Sequence, residues 1–342
     1  MLNDKTVLIT GGTGSFGKAF TQVVLERYKP KRLIIYSRDE LKQFEMQQRY
    51  PENKYPCIRF FIGDVRDKDR LIRAFSDVDV VIHAAALKQV PACEYNPFEA
   101  VKTNVLGAQN IIDAAIDRGV GKIVALSTDK AASPINLYGA TKLCSDKLFI
   151  GGNAYSGGKM TRFSVVRYGN VVGSRGSVVP LFLKKRKDGV LPITDERMTR
   201  FWITLEQGVQ FVLHSLEQMG GGEVFIPKIP SMRVTDLARA IAPDCKLDVI
   251  GIRSGEKLHE VMVPVDDANH TVELEGSFVI DPQFTFERRQ DWRALGRACP
   301  EGFRYSSDTN SQWLSEGDLV AMICKLDMPE AREFARERGI AG

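Results

Sequence analysis

The 342 residues are 44% hydrophobic and 26% charged, with a net charge of only +4 spread over mixed signs, so nothing calls for nucleic acid. Cysteines at 57, 93, 144, 245, 299 and 324 form no Cys-x-x-Cys pair, which argues against zinc and against a disulfide framework and suits a reducing cytoplasm. No run reaches the length of about 18 apolar residues that a membrane span needs, and Asp4 and Lys5 precede the first strand, so neither an anchor nor a signal peptide is expected.

Residues 6–10 read as a short strand, and Gly11-Gly12-Thr13-Gly14-Ser15-Phe16-Gly17 follows at once. An amphipathic helix pattern then runs to about Tyr28. Strand, glycine turn and helix aim helix N-terminal amides at a pyrophosphate. Gly11, Thr13, Gly14, Ser15, Phe16 and Gly17 are therefore expected to line a dinucleotide. The second strand, Arg32 to Tyr36, leads into Ser37-Arg38-Asp39-Glu40. An arginine there accommodates a 2′-phosphate, so Ser37 and Arg38 point to NADP; Ser37-x-x-Glu40 also reads as a capping box.

A third strand, Ile58 to Ile62, ends in Gly63-Asp64-Val65, where the carboxylate is expected to face the adenine edge. The fourth, Val78 to His83, opens into Ala84-Ala85-Ala86, small enough to let the chain approach a flat ligand. His83 reads as a packed strand-end residue, and Lys88 as a substrate contact. A long helical pattern from Pro97 to Arg118 contains Asn104, polar among apolar neighbours, which must find partners and is placed at the cofactor site.

The strand Lys122 to Ser127 precedes Thr128-Asp129-Lys130, and a helix then carries Tyr138 and Lys142. A spacing of four puts both side chains on one face, where the ammonium is expected to lower the phenol's pKa. Tyr-x-x-x-Lys alone is a weak signal; an acid and a base candidate just upstream make it a catalytic constellation. The next strand, Phe163 to Arg167, ends in Tyr168-Gly169-Asn170-Val171. The repeated alternation of strand and helix predicts an α/β fold, a Rossmann-type doubly wound parallel sheet over residues 1–171. Residues 172–342 are expected to form mainly a smaller substrate-binding domain, some segments returning to the sheet. Its polar clusters are Ser174-Arg175-Gly176-Ser177, Thr194 to Arg200 and Arg253 to Lys257, the last before an expected helix. Their arginines suit a diphosphate. The tail around Trp292 and Trp313 reads as irregular packed structure, and Lys184 to Lys187 as an exposed helix face.

Over nearly its whole length the chain resembles the extended short-chain dehydrogenase/reductases, on Thr10–Gly17, Ala84–Ala86, Tyr138-x-x-x-Lys142 and Arg167–Val171. Within them, Ser127 to Lys142 resembles the nucleotide-sugar 4,6-dehydratases that act on UDP-N-acetylglucosamine, in the soluble, C5-inverting branch that opens pseudaminic acid synthesis. Asp129-Lys130 is the specific mark; dTDP-glucose dehydratases carry Asp-Glu there, and simple epimerases have neither. Membrane-bound relatives tend to have methionine in place of Tyr138. The resemblance implies a tightly held NADP, contacted also by Asp39, Ser127, Tyr168 and Val171. It implies UDP-N-acetylglucosamine held by Lys88, Thr128, Asn170, Arg175, Ser177, Val178, Thr194, Arg200, Arg253 and Glu256, and self-association, commonly as hexamers. Tyr138 would take the proton of the carbon 4 hydroxyl and Asp129 would protonate the departing carbon 6 hydroxyl. Lys130 would remove the carbon 5 proton, which requires a lowered pKa. A C5-retaining dehydratase or a 4-epimerase is the alternative reading, and a non-catalytic NADP-binding protein a remoter one.

Overall fold

The computed structural model describes residues 1–157, 160–174, 176–282 and 290–340. Its first half alternates strand and helix: β1 (Thr6–Thr10), α1 (Ser15–Arg27), β2 (Arg32–Ser37), α2 (Glu40–Arg49), β3 (Ile58–Ile62), α3 (Lys68–Ala74), β4 (Val80–His83). Two short helices, α4 (Val90–Tyr95) and α5 (Pro97–Val101), lead through a π-helical turn (Lys102–Leu106) into α6 (Gly107–Arg118). Then come β5 (Lys122–Thr128), a 3₁₀ turn (Asp129–Ala131), α7 (Leu137–Tyr155) and β6 (Arg162–Tyr168).

The parallel strands lie in the order β3-β2-β1-β4-β5-β6. The order reverses between β1 and β4, and sheets of this kind take ligands outside the carboxyl ends of the strands at such a reversal. Every residue of β1 is buried, as expected of a strand covered by helices on both faces. The α/β class and the doubly wound sheet expected from the alternation are thus present. One detail differs. Residues 97–118 are not a single helix, because the π turn widens the coil and lets Asn104 turn inward.

Beyond β6 follow β7 (Asn170–Val171), α8 (Val178–Lys185), β8 (Val190–Ile193), β9 (Thr199–Ile203), α9 (Leu205–Gln218) and β10 (Val224–Pro227). Next are β11 (Ser231–Arg233), α10 (Val234–Ile241), β12 (Lys246–Val249), β13 (Val261–Val263), β14 (Thr271–Glu273) and β15 (Ser277–Ile280). The chain closes with β16 (Arg297–Ala298), β17 (Tyr305–Ser306), α11 (Glu316–Cys324) and α12 (Pro329–Glu337). β10 adds parallel to β6, and β15, β14 and β16 extend the same sheet antiparallel, making it ten-stranded. A second apolar cluster forms apart from the sheet, around Val172, Phe182, Trp202, Leu237, Leu319 and Phe334.

The tail is more regular than its composition promises. Ser315 and Asp318 cap α11 reciprocally, and Pro329 opens α12 at its first turn. Trp292 is buried edge-on against Phe225 with centroids 5.4 Å apart. No helix follows Lys257 directly; the polar cluster instead enters β13. The basic run at the end of α8 is tied to α12, Lys187 Nζ donating to Glu333 at 2.7 Å.

Candidate active site

The glycine loop is built for close approach. Gly11 has φ +64°, and a Cβ there would lie 2.9 Å from the Ala85 main chain, so the loop abuts the segment after β4. Gly14 caps α1 without a side chain, which leaves the first-turn amides of Ser15, Phe16 and Gly17 uncovered by a capping group. Phe16 stacks with Tyr168 at the end of β6, centroids 6.5 Å apart. These features fit a dinucleotide pyrophosphate on the α1 N-terminus.

At the end of β2, Thr13 Oγ1 and Ser37 Oγ share a hydrogen bond of 2.8 Å. The cap of α2 is Asp39, whose side chain accepts from the Lys42 amide at 3.0 Å, and not the Ser37–Glu40 box. Arg38 is 56% exposed, with its guanidinium 3.6 Å from Asp64 Oδ2. Asp64 also accepts from Arg66 Nε at 3.0 Å and Nη2 at 2.8 Å. Burial would raise the Asp64 pKa, but these arginines hold it below the usual range. Its carboxylate is thus committed to arginines, and Val65 packs on Gly107 with its carbonyl accepting from Asn110 at 3.0 Å.

Asn104 makes three hydrogen bonds. It accepts from the Leu87 amide at 2.8 Å and donates to the Leu87 carbonyl at 2.9 Å and to Thr141 Oγ1 at 3.0 Å. It therefore pins the segment after Ala84–Ala86 to α7; both its N–H donors are used, and one lone pair on Oδ1 is left. His83 Nδ1 pairs with Thr10 Oγ1 at 2.8 Å in a buried setting that pushes its pKa down to about 3, so it is a neutral packing residue.

Asn136 caps α7, accepting from the Gly139 amide at 2.7 Å, while Glu94 accepts from the Leu137 amide at 2.7 Å. The first turn of α7 lies directly on the 3₁₀ turn. A Cβ at Gly139 would fall inside van der Waals distance of the Lys130 carbonyl oxygen, so only glycine lets Tyr138 stand beside Asp129 and Lys130. Gly139→Ala is expected to cost about 1–3 kcal/mol of stability by overpacking and, by displacing Tyr138, about 100-fold in turnover. Thermal melting beside a steady-state assay checks both.

Thr128 Oγ1 donates to Asp129 Oδ1 at 2.9 Å, and Lys130 Nζ donates to the same oxygen at 3.1 Å. Lys130 Nζ also lies 3.2 Å from Glu260 Oε1 and 3.5 Å from Asn170 Oδ1. Burial raises the Asp129 pKa and Glu260 raises it further, with Lys130 and Thr128 acting in the opposite sense, so the carboxylate is a ready acceptor for a proton from its neighbour. Lys130 departs from expectation. Burial alone would lower its pKa, but the carboxylates of Asp129 and Glu260 overcome that and hold the ammonium charged.

Tyr138 also departs from expectation. Its surroundings push the phenol up to about 12, burial outweighing the cation of Lys130 and a hydrogen bond with Thr128. Lys142 is buried and its own pKa is lowered by desolvation, with Asp146 acting in the opposite sense. Asp146, one turn along α7, accepts from Ser127 Oγ at 2.6 Å and from Arg167 Nη2 at 3.4 Å. Ser127 thus serves this buried network. Tyr168 lies buried beside it, its hydroxyl pKa raised by burial and then by Tyr138.

The expected sugar-side residues divide. Asn170 and Thr128 meet Lys130 and Asp129, whereas Arg200 gives its guanidinium to the carbonyls of Thr199 at 2.7 Å and Leu258 at 3.1 Å. Thr194 Oγ1 turns to Met198 Sδ at 2.9 Å. Ser177 precedes Val178 at the start of α8, and its buried hydroxyl has no hydrogen-bond partner among the described residues. Lys88 follows Ala84–Ala86 on an exposed segment, Arg253 lies 4.0 Å from Glu256, and Arg175 lies outside the described residues. Three residues escaped the sequence reading: Gly139, Asp146 and Glu260. A lone acid before the apolar run Val261-Met262-Val263 was the available sign of Glu260.

The model of a family described as polysaccharide biosynthesis protein matches residues 7–282. A Campylobacter jejuni protein named UDP-N-acetylglucosamine 4,6-dehydratase (inverting) is 60% identical over 94% of this chain and 98% of its own. The chain belongs to this family. A Rickettsia akari relative named UDP-glucose 4-epimerase is 43% identical over 82% of the chain and 84% of its own. Among solved structures, Pen from Bacillus thuringiensis superposes with a TM-score of 0.85 at 38% identity, covering 95% of this chain and 99% of that one. DesIV from Streptomyces venezuelae, a dTDP-glucose 4,6-dehydratase with NAD bound, has a TM-score of 0.65 at 23% identity over 74% of this chain and 86% of its own, which speaks for the shared fold. Among the described residues, no helix of the chain is long and apolar enough to cross a membrane.

Proposed function

We propose that this chain is a UDP-N-acetylglucosamine 4,6-dehydratase that inverts carbon 5. It is a hydro-lyase giving UDP-2-acetamido-2,6-dideoxy-β-L-arabino-hex-4-ulose and water, the first step of pseudaminic acid synthesis. The observation that carries this is the acid Asp129 and the amine Lys130 in contact beside Thr128 and Tyr138, on a chain 60% identical to an enzyme of that name.

Tyr138, as the phenolate that the nearby Lys130 cation favours and with its own proton released to solvent, takes the proton of the carbon 4 hydroxyl, whose oxygen Thr128 orients. Bound NADP supplies the hydride acceptor and the hydride that returns to carbon 6, so no net redox occurs. Once carbon 4 is a ketone, the hydrogen on carbon 5 is acidic enough for Lys130 to remove, while Asp129 protonates the departing carbon 6 hydroxyl. Because Lys130 rests as an ammonium against Asp129, its proton passes first to Asp129, whose burial favours that. The pair then stands as free base and protonated acid. Reprotonation of carbon 5 on the opposite face gives inversion.

NADP in place of NAD is supported by Arg38, exposed at the end of β2 beside Ser37. Arg38→Ala is expected to lower the preference for NADP over NAD roughly tenfold to hundredfold, the scale of a hydrogen bond to a charged group. Competitive binding of the two dinucleotides measures it. The segments after β6 are read as the UDP-sugar side, apart from those that complete the sheet. We further propose a cytoplasmic homo-oligomer, a hexamer by its resemblance. The exposed Tyr95 and Phe98 on α4 and α5 support self-association, which light scattering tests.

The deciding experiment is proton NMR of UDP-N-acetylglucosamine with the enzyme in deuterated water. A 6-deoxy-4-keto sugar with a methyl signal, deuterium at carbon 5 and an inverted ring pattern is expected. Retained configuration moves the enzyme to the C5-retaining branch. An epimer without a methyl signal overturns elimination and favours the reading suggested by the relatives named 4-epimerases.

A further inference from the structure

Of the two carboxylates that touch Lys130, Asp129 has a part in the reaction and Glu260 has none so far. Glu260 is 2% exposed, yet it reaches Lys130 Nζ at 3.2 Å from the segment leading into β13. Its main chain is clamped: its amide donates to Ser307 Oγ at 2.9 Å, and its carbonyl accepts from the Ser307 amide at 2.8 Å and from Ser306 Oγ at 3.2 Å. Arg200 Nε stands 3.8 Å from the same Oε1, so a fixed cation backs the carboxylate. Oε2 is buried with no hydrogen-bond partner among the described residues. A buried carboxylate with an unsatisfied oxygen costs stability, and one held against an active-site amine calls for a functional reason.

We propose that Glu260 is a positioning residue for Lys130, fixing the amine between two carboxylates and setting the pH range in which the Asp129–Lys130 pair carries its single working proton. The inference rests on the dehydratase reading for its chemical meaning. Elimination starts with that proton on Asp129 and a free amine on Lys130. The carbon 5–hydrogen bond breaks and its proton goes to Lys130, the carbon 6–oxygen bond breaks, and the oxygen leaves as water with the proton of Asp129. The electron pair of the carbon–hydrogen bond becomes the carbon 5–carbon 6 double bond. The ion pair is thereby restored, and the charge of Glu260 stabilises the ammonium that forms. That charge strengthens Lys130 as a base and keeps the pair from losing its proton as the solution turns alkaline.

The groups that face Lys130 are Asp129 on its own turn, Tyr138 on α7, Lys88 after β4, Arg200 on β9, and Lys257 and Glu260 before β13. Glu260→Gln removes one charge from this set and keeps an oxygen able to accept from Nζ. Removing a negative charge makes every proton on the pair easier to lose. Both limbs of the pH profile of kcat are therefore expected to move to lower pH, with KM for UDP-N-acetylglucosamine little changed.

Labelling Lys130 with acetic anhydride across pH, in NADP-loaded protein without sugar and read by peptide mass spectrometry, tests the coupling directly. The half-labelling pH is expected to fall by about one to three units in Glu260→Gln, the usual effect of an opposite charge at this range. Glu260→Asp keeps the charge but retracts it, so its curve should fall between the two. If the glutamine variant does not fold, that intermediate shift alone decides. Labelling curves that coincide with the parent's overturn the proposal, even in an active dehydratase. A shifted curve in a protein that leaves UDP-N-acetylglucosamine unchanged supports the coupling and overturns the dehydratase reading instead.

Discussion

Lys130→Ala is expected to lower dehydration by at least about 100- to 10,000-fold, the usual worth of one acid–base role, and to leave NADP bound. The cofactor is retained because Lys130 stands at the carboxyl end of β5 while the glycine loop and the end of β2 lie elsewhere on the sheet edge. Tyr138 and Lys142 remain, but the Lys130 charge that favours the phenolate is lost, so oxidation at carbon 4 should still proceed when sugar is added, only more slowly. The block falls at carbon 5. Reduced nicotinamide should therefore appear in the near-ultraviolet spectrum without a methyl signal in the NMR spectrum. The substitution also leaves Asp129 and Glu260 buried without the cation that pairs both, so a fall in thermal stability accompanies it. Normal turnover by this variant would refute the assigned mechanism.

Tyr138→Phe stops the reaction one step earlier. A loss of about 100- to 10,000-fold is again expected, but now with no reduced nicotinamide, because nothing takes the proton of the carbon 4 hydroxyl. The phenol, pushed up to about 12, is a weak acid that keeps its proton in the resting site. Its conversion to a base depends on positive charge nearby. Lys130 supplies most of what the protein offers, with Lys142 buried beneath. The two variants thus separate oxidation from elimination: one accumulates reduced nicotinamide and the other does not. A stopped-flow absorbance trace distinguishes them, and equal traces would contradict the division of labour between Tyr138 and Lys130.

Much of this was legible in the chain before any coordinates. A buried strand, a turn that only glycines can make and an amphipathic helix are local arrangements, so the dinucleotide loop and the alternation behind the doubly wound sheet can be read in order. Tyr138 and Lys142 share a face because a helix repeats every 3.6 residues, and Asp129-Lys130 is adjacent by sequence. What the chain could not disclose was how distant elements change those residues. Lys130 was expected to titrate low, since burial removes charge from an amine. The carboxylate of Asp129 next to it and that of Glu260, distant along the chain, together reverse this, and the Glu260 part depends on a 3.2 Å separation that no spacing encodes. Gly139 looks like an ordinary helix glycine until the Lys130 carbonyl is seen against it, and the expected sugar contact Arg200 also holds the Thr199 and Leu258 carbonyls through Nη1, which no spacing announces. The sequence by itself disclosed Asp129, Lys130, Tyr138 and Lys142 and the alternation of strands and helices that carries them; the tertiary structure added Glu260 and decided their charge, because protonation follows distance in space and not distance along the chain.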